Sequence, residues 1–199
     1  MRRARQLVAE GVIGDMQSFE AVLAFTATDT ATNVRLSSEL AGGGLWDAGC
    51  YAVSAARFIL DAEPLTAAGY AIDSGNYGVD SSFSCLLEFP GGAIAHVRSS
   101  VEQPRTNFGE VIATKGRIKI AHLFEEDTPL VIDAVDGEVS TEEFSGPPRF
   151  TVQISDFSEC ILTGKAPEVP PEDGLRNTAA VLALYDSAAT GKVTAVEQV

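Results

Sequence analysis

The sequence is short of positive charge. It has 14 lysine and arginine residues against 28 aspartate and glutamate residues, which gives a net charge of −14 over 199 residues. A surface with this excess of acid repels nucleic acids and anionic membranes. No apolar run reaches the roughly 18 residues of a membrane span, and the basic start, residues 1–6, has no apolar stretch behind it as a secretory signal would. We therefore expect neither a nucleic-acid partner nor a membrane partner.

Cysteine and histidine are also scarce. The three cysteines, Cys50, Cys85 and Cys160, are far apart and form no Cys-x-x-Cys pair. This spacing argues against a disulfide framework and against a structural zinc site, and it suits a reducing cytoplasm. The two histidines, His96 and His122, do not have the spacing of metal ligands. We expect no bound metal.

The most informative segment that is present runs from Gly42 to Tyr51, with the sequence GGGLWDAGCY. On a helix, Asp47 and Tyr51 would share one face because they are four residues apart. A tyrosine hydroxyl can exchange a proton with a carbonyl or an alcohol, although its ordinary pKa near 10 means that it needs a cation or an acid–base partner. Asp47 could hold a substrate hydroxyl. Trp46, the only tryptophan, lies beside them.

Each of these residues also has a purely structural interpretation. Asp47 could be a helix N-cap and Tyr51 a core aromatic, while Arg35 could bind a hydroxylated or anionic ligand or lie on the surface. The three glycines do not form a phosphate-binding turn. No apolar strand precedes them, and Asp47 places an anion where a phosphate would lie.

The apolar periodicity predicts an α+β fold: a large, mostly antiparallel open sheet with helices packed on one face. Phe83, Cys85, Leu87 and Phe89 should point inward, whereas Val22 and Leu86 should point outward. The turn at Asp136 and Gly137 should join the last two predicted strands. Predicted strands cover 16–25, 65–73, 82–89, 93–101, 108–113, 117–120, 130–135 and 138–144, and predicted helices cover 2–10, 46–60, 150–163 and 173–190. On the last of these helices, one apolar stripe contains Leu175, Ala179, Leu182 and Ala189.

The whole chain reads as one domain, 1–199. The helix over residues 2–10 begins without a capping side chain, and Arg2, Arg3 and Arg5 crowd an end where cations are disfavoured. This pattern is typical of the middle of a helix, so we expect the chain to open inside a longer one.

Asn33-Val-Arg35, the segment from Glu39 to Tyr51, and Ala55 to Leu60 together resemble the C-terminal half of the Gfo/Idh/MocA oxidoreductases. The subgroup with tyrosine at the end of this motif is similar to the dihydrodiol and xylose dehydrogenases. Later landmarks agree in order and spacing: Asp80, Phe89–Gly92, Thr114–Gly116 and the tail from Gln153 to Val196.

The resemblance implies an NAD(P)-dependent dehydrogenase of sugars, polyols or related alcohols, with Tyr51 as the acid–base residue and Asp47 as its partner. Arg35 and Trp46 would bind substrate. The family's Rossmann glycines and the lysine that pairs with the tyrosine would precede Met1. We therefore expect the 199 residues by themselves to bind neither NAD nor NADP and to be inactive, and to form a homodimer or larger oligomer through the open sheet face. The alternative is a free-standing, non-catalytic module that binds sugar or another protein.

Overall fold

A computed structural model describes residues 1–135 and 137–199 of the protein, so the predicted turn residue Asp136 lies outside the described part. Within the described residues, nine strands form one sheet in the order β8-β7-β6-β5-β1-β4-β3-β2-β9. All neighbouring pairs described are antiparallel except β1 and β4, which run parallel. The strands are β1 Met16–Thr26, β2 Thr66–Ile72, β3 Ser82–Glu88, β4 Ile94–Ser100, β5 Glu102–Ala113, β6 Gly116–Ile120, β7 Leu130–Ala134, β8 Val139–Glu142 and β9 Thr194–Ala195.

The part of the chain that the structure describes also contains four α-helices: α1 Arg2–Ala9, α2 Cys50–Leu60, α3 Arg149–Thr163 and α4 Glu172–Thr190. A π-turn, Leu45–Gly49, leads directly into α2. The predicted α+β class, with helices against one face of an open sheet, is confirmed. The helices and most strands were predicted to within a few residues. The exceptions are β5, which begins six residues earlier than expected, and β9, which was not predicted.

The core lies between the sheet and helices α2 and α4. Alternate residues of β3, including Phe83 and Leu87, face the helices because side chains on a strand alternate between its two faces. They share one apolar cluster with Val53 of α2 and Leu184 of α4. The inward direction predicted for Phe83, Cys85, Leu87 and Phe89 is confirmed, since all four are buried.

The opposite face of the sheet has no helix of the described residues packed on it. Leu86 is 44 % exposed there, as expected, but Val22 is only 1 % exposed. Val22 lies on the same face as Leu86, since its neighbour Arg98 pairs with Ser84, two residues from Leu86, so its outward direction holds although its side chain is covered. Its strand lies in the middle of the sheet between β4 and β5, where Arg98 and Phe108 are its cross-strand neighbours.

Helix α4 packs with a different side than the sequence suggested. The apolar stripe that we expected includes Leu175 and Leu182, which are 62 % and 51 % exposed. The buried side carries smaller residues, Ala180, Val181 and Ala183, together with Leu184 and Ser187. A Cβ atom on Gly69 of β2 would lie 3.0 Å from the carbonyl oxygen of Leu184, so helix and sheet approach too closely for bulky side chains along this line.

Candidate active site

The glycine segment owes its composition to close backbone contacts. A Cβ atom on Gly42 would lie 2.6 Å from the carbonyl oxygen of Arg35, and the N–H of Gly43 donates a hydrogen bond to that same oxygen at 2.8 Å. Only glycine permits such an approach. The consequence is that the Arg35 backbone, twelve residues away from Asp47 in sequence, lies against the start of the helical segment.

Arg35 and Asp47 form an ion pair in this corner. The Nε atom of Arg35 donates to Oδ2 of Asp47 at 2.8 Å. Both side chains are partly exposed, at 40 % and 29 %. The Asn33 side chain accepts a hydrogen bond from the Arg35 N–H, and the Arg35 guanidinium lies over the Phe25 ring at 5.6 Å. The arginine is thus held from three sides.

Asp47 lies inside the helical segment and not at its N-cap. The segment starts at Gly44 with no side-chain cap, and Asp47 donates its own N–H to the Gly43 carbonyl at 2.9 Å. A single π-turn at the start of an α-helix is uncommon and is found often at functional sites. The structural interpretation of Asp47 as a cap is therefore wrong.

The Tyr51 side chain lines a large cavity. The side chain is 58 % exposed, and its ring meets the Phe124 ring edge-on with 6.3 Å between the centroids. The cavity has a volume of about 710 Å3 and is also lined by Ser54, Phe58 and Arg57. Tyr51 is therefore not a core aromatic. Its hydroxyl group is on a helix face that a ligand in this cavity can reach.

Trp46 borders a second cavity, of about 670 Å3, together with Gly42, Asp80 and Tyr185. Its ring lies 6.0 Å from the Tyr185 ring. The structure thus brings Arg35 and Asp47 into direct contact, and it places Trp46 and Tyr51 in different cavities. The Arg35–Asp47 pair is not among the described residues that line either one.

Two residues of this region carried no functional interpretation in the sequence: Asp80, noted only as a landmark, and Tyr185. Asp80 is 6 % exposed. Its Oδ1 accepts the Tyr185 hydroxyl and its Oδ2 accepts the Leu45 N–H, both at 2.7 Å. Burial raises the pKa of Asp80, against the effect of these hydrogen bonds, and burial likewise raises the pKa of Tyr185. No sequence signal joins residues 45, 80 and 185, because their contact exists only in the folded chain.

The glycine segment does not fit a dinucleotide. A Cβ atom on Gly43 would lie 2.5 Å from Oδ1 of Asp80, so a carboxylate already fills the space at the helix start where a phosphate would bind. Among the described residues, no group of three or more histidine, cysteine, aspartate or glutamate side chains is arranged to hold a metal ion. The helices described are also too short or too polar to cross a bilayer.

Comparisons with known proteins agree with this fold. Residues 1–119 match the family model described as the GFO/IDH/MocA C-terminal domain. The fold and this match thus define the C-terminal domain of an oxidoreductase class. The chain belongs to the Gfo/Idh/MocA family.

Individual relatives point the same way. The chain is 35 % identical to D-xylose 1-dehydrogenase (NADP(+)) 2 of Haloferax volcanii over 95 % of its own length and 58 % of the relative's. It is 35 % identical to a dTDP-3,4-didehydro-2,6-dideoxy-alpha-D-glucose 3-reductase of Saccharopolyspora spinosa over 85 % of its length and 52 % of the relative's. The chain therefore spans between half and three fifths of these proteins.

A solved structure is similar over nearly the whole chain. The aldose-aldose oxidoreductase of Caulobacter crescentus, complexed with glycerol, superposes with a TM-score of 0.88 at 28 % identity. The match covers 97 % of this chain and 59 % of that one. The relatives are thus NAD(P)-dependent sugar oxidoreductases or enzymes that act on related sugars, and the shared part includes the sheet and the helical segment with Tyr51.

Proposed function

We propose that this chain is the substrate-binding and oligomerisation domain of an NAD(P)-dependent oxidoreductase that acts on a sugar, a polyol or a related alcohol. One observation carries the proposal. In a chain of this family, the helical segment 45–60 presents a largely exposed tyrosine, Tyr51, into a cavity of about 710 Å3, which is large enough for a sugar.

The proposed roles follow from the chemistry of the side chains. The Tyr51 hydroxyl gives a proton to, or takes one from, the reacting oxygen of the substrate. Asp47 and Arg35 do not line the Tyr51 cavity, and in this proposal they bind substrate hydroxyls that reach out of it. Their ion pair uses one of five guanidinium N–H donors and one of about four carboxylate lone-pair positions, so both groups keep capacity for further hydrogen bonds. Trp46 borders the other cavity, and its assignment to substrate binding rests on the family resemblance alone.

The charges of the Tyr51 cavity favour an uncharged substrate. Arg57 is bound to Glu63 and Asp173, Arg5 to Asp61, and Arg2 to Glu168. These three arginines are neutralised by carboxylates, and Arg176, the other arginine described in the lining, donates its Nε–H to the Val199 carbonyl oxygen. A neutral polyhydroxyl compound, such as a free aldose, suits this lining better than a sugar nucleotide does.

In this proposal the dinucleotide is bound by residues other than these 199. The described glycine segment does not fit a pyrophosphate, because Asp80 and Tyr185 occupy its concave side. We therefore propose that these 199 residues by themselves bind neither NAD(H) nor NADP(H) and turn over no substrate.

The open sheet face is proposed as the surface for a homodimer or a larger oligomer. Tyr70 and Leu86 stand exposed on it, at 78 % and 44 %. Exposed apolar side chains gathered on an uncovered sheet are typical of protein–protein contacts. The three cysteines are free thiols. This state suits a reducing compartment, and we propose the cytoplasm.

Saturation-transfer NMR with D-xylose tests the proposed binding role in the 199-residue chain. We expect saturable transfer to the sugar, weakened about tenfold or more in Asp47→Asn and in Arg35→Met. Arg98→Met, on the opposite sheet face, is the matched control and should bind as the wild type does. Equal transfer in all four proteins, or none in the wild type, would contradict the proposal.

A further inference from the structure

The Asp80 carboxylate is the point where three separate parts of the chain meet. Asp80 lies just before β3, Leu45 opens the π-turn and Tyr185 belongs to α4. Both carboxylate oxygens are used, one by the Leu45 N–H and one by the Tyr185 hydroxyl, each at 2.7 Å. The Asp80 carbonyl oxygen accepts a third hydrogen bond, from Gly44 at 2.6 Å.

The Asp80 carboxylate caps the start of the helical segment although it is distant from that segment in the sequence. The first N–H groups of a helical segment have no partner within it, and they carry partial positive charge. No side chain of residues 44–49 caps this start. Asp80, 35 residues further along the chain, supplies the acceptor for Leu45 instead. No arginine or lysine of the described part of the chain forms an ion pair with Asp80. The negative charge of Asp80 is therefore compensated by its hydrogen bonds and by the partial positive charge at the helix start.

Tyr185 holds the carboxylate in place. Its ring lies 5.5 Å from the Phe83 ring and 6.0 Å from the Trp46 ring, so the hydroxyl is fixed by packing on two sides. The space for the Asp80–Tyr185 pair exists because residue 43 is glycine. A Cβ atom there would lie 2.5 Å from Oδ1 of Asp80 and 2.8 Å from the hydroxyl oxygen of Tyr185. The lack of a side chain at Gly43 thus leaves room for the hydrogen-bonded pair of Asp80 and Tyr185.

The orientation of the helical segment depends on this anchor. Fixing the Leu45 N–H sets the rotation of the segment about its own axis, and that rotation decides where Asp47 and Tyr51 point. A misplacement of about 1 Å at such a site can cost a hundredfold in function.

We propose that Asp80 and Tyr185 are positioning residues for the sugar site, acting through the start of the helical segment on Asp47 and Tyr51. This inference rests on the proposed function for the identity of the ligand. Asp80 and Tyr185 would thus support the site without contacting the sugar or the reacting atoms.

The test uses the 199-residue chain with Asp80→Ala, Asp80→Asn and Tyr185→Phe. Two readouts report on position without any ligand: the fluorescence of Trp46, the only tryptophan, and the hydrogen exchange of the Leu45 amide. We expect altered Trp46 emission in all three variants and Leu45 exchange about tenfold faster in Asp80→Ala. Asp80→Asn keeps one acceptor oxygen and should partly restore the slow exchange.

The third readout is D-xylose affinity by saturation-transfer NMR. We expect about tenfold weaker binding in Asp80→Ala and Tyr185→Phe. Ser187→Ala is the matched control, since it removes another buried hydroxyl of α4, one that accepts the Gly69 N–H at 3.1 Å on the sheet side. It should lower the free energy of unfolding and leave the affinity and the Trp46 emission unchanged.

The outcomes separate this inference from the proposed function. If the wild type binds D-xylose and the Asp80 and Tyr185 variants bind it equally well, the positioning role is wrong and the function stands. If the wild type binds no sugar, the function fails, and unchanged Leu45 exchange in Asp80→Ala would overturn the positioning role as well.

Discussion

Arg57 is the most deeply buried charge of the protein's helical layer. Its side chain is 3 % exposed and makes hydrogen bonds to Glu63 at 2.6 and 2.9 Å, to Asp173 at 2.9 Å and to Asn177 at 3.3 Å. It ties α2 to α4 beside the Tyr51 cavity. Removing one partner of a buried ionic network is costly because the remaining charges lose their compensation.

Arg57→Met should therefore lower the free energy of unfolding by about 2 kcal/mol, because Glu63 and Asp173 are partly exposed and recover some hydration. Urea unfolding followed by circular dichroism measures this. Arg105→Met is the control. Arg105 is 74 % exposed in its pair with Glu125, and a change of at most about 0.5 kcal/mol is expected there. Equal effects at the two positions would contradict the account of Arg57.

The raised pKa of Asp80 predicts the direction in which the free energy of unfolding changes with pH. Burial raises the pKa of Asp80 in the folded chain above its ordinary value of 3.8. In the window above 3.8 the folded chain then binds more protons than the unfolded chain, so this group's contribution to stability falls as pH rises. The unfolding free energy of the wild type, minus that of Asp80→Asn, should decrease between about pH 3.5 and pH 7. A difference that grows over this range would show that the carboxylate prefers its charged form in the fold.

The positions of individual site residues were predicted from sequence only where the residues concerned are close in the chain. The i to i+4 spacing of Asp47 and Tyr51 predicted their place on one helix, which the structure describes as a π-turn followed by α2. The ion pair of Asp47 with Arg35 and the bond of Leu45 with Asp80 join residues 12 and 35 positions apart. Such contacts depend on the loop path, which periodicity does not encode.

The glycine segment is the element where backbone conformation matters most. Gly43 has φ of +131°, which side-chain-bearing residues rarely adopt, and it faces the Asp80–Tyr185 pair. Gly43→Ala should lower the free energy of unfolding by about 3 kcal/mol through strain and a clash with Asp80. Gly146→Ala is the matched control, since no atom lies within 4 Å of the added Cβ and its φ is not positive. Thermal unfolding of the two variants compares them directly, and similar midpoints would contradict this account.

Elements with a regular period were predicted well, and the exceptions have physical reasons. Alternation identified β3 and β4 because each has one buried and one uncovered face. The first half of β5 was missed because Gln103, Pro104 and Arg105 are not typical strand residues. On α4 the largest apolar residues predicted the wrong face, since close packing on Gly69 favours small side chains there.

The whole molecule has an uncovered sheet face on which exposed apolar side chains of β2 and β3 lie among charged ones. Light scattering of the wild type at tens of micromolar should show a dimer or a larger species. Leu86→Glu places a charge within the proposed contact and should shift the population to monomer. Leu182→Glu, on the exposed side of α4, is the control and should leave the assembly unchanged. A wild type that is monomeric under these conditions would contradict the proposed interface.

We propose that this chain provides the sugar-binding side of a dehydrogenase site and leaves the dinucleotide to other residues. This division can be tested in one saturation-transfer NMR experiment on a mixture of the chain, D-xylose and NADPH. We expect saturable transfer to the sugar protons and none to the nicotinamide or adenine protons. Transfer to the dinucleotide with a micromolar dissociation constant, or no transfer to the sugar, would contradict the claim.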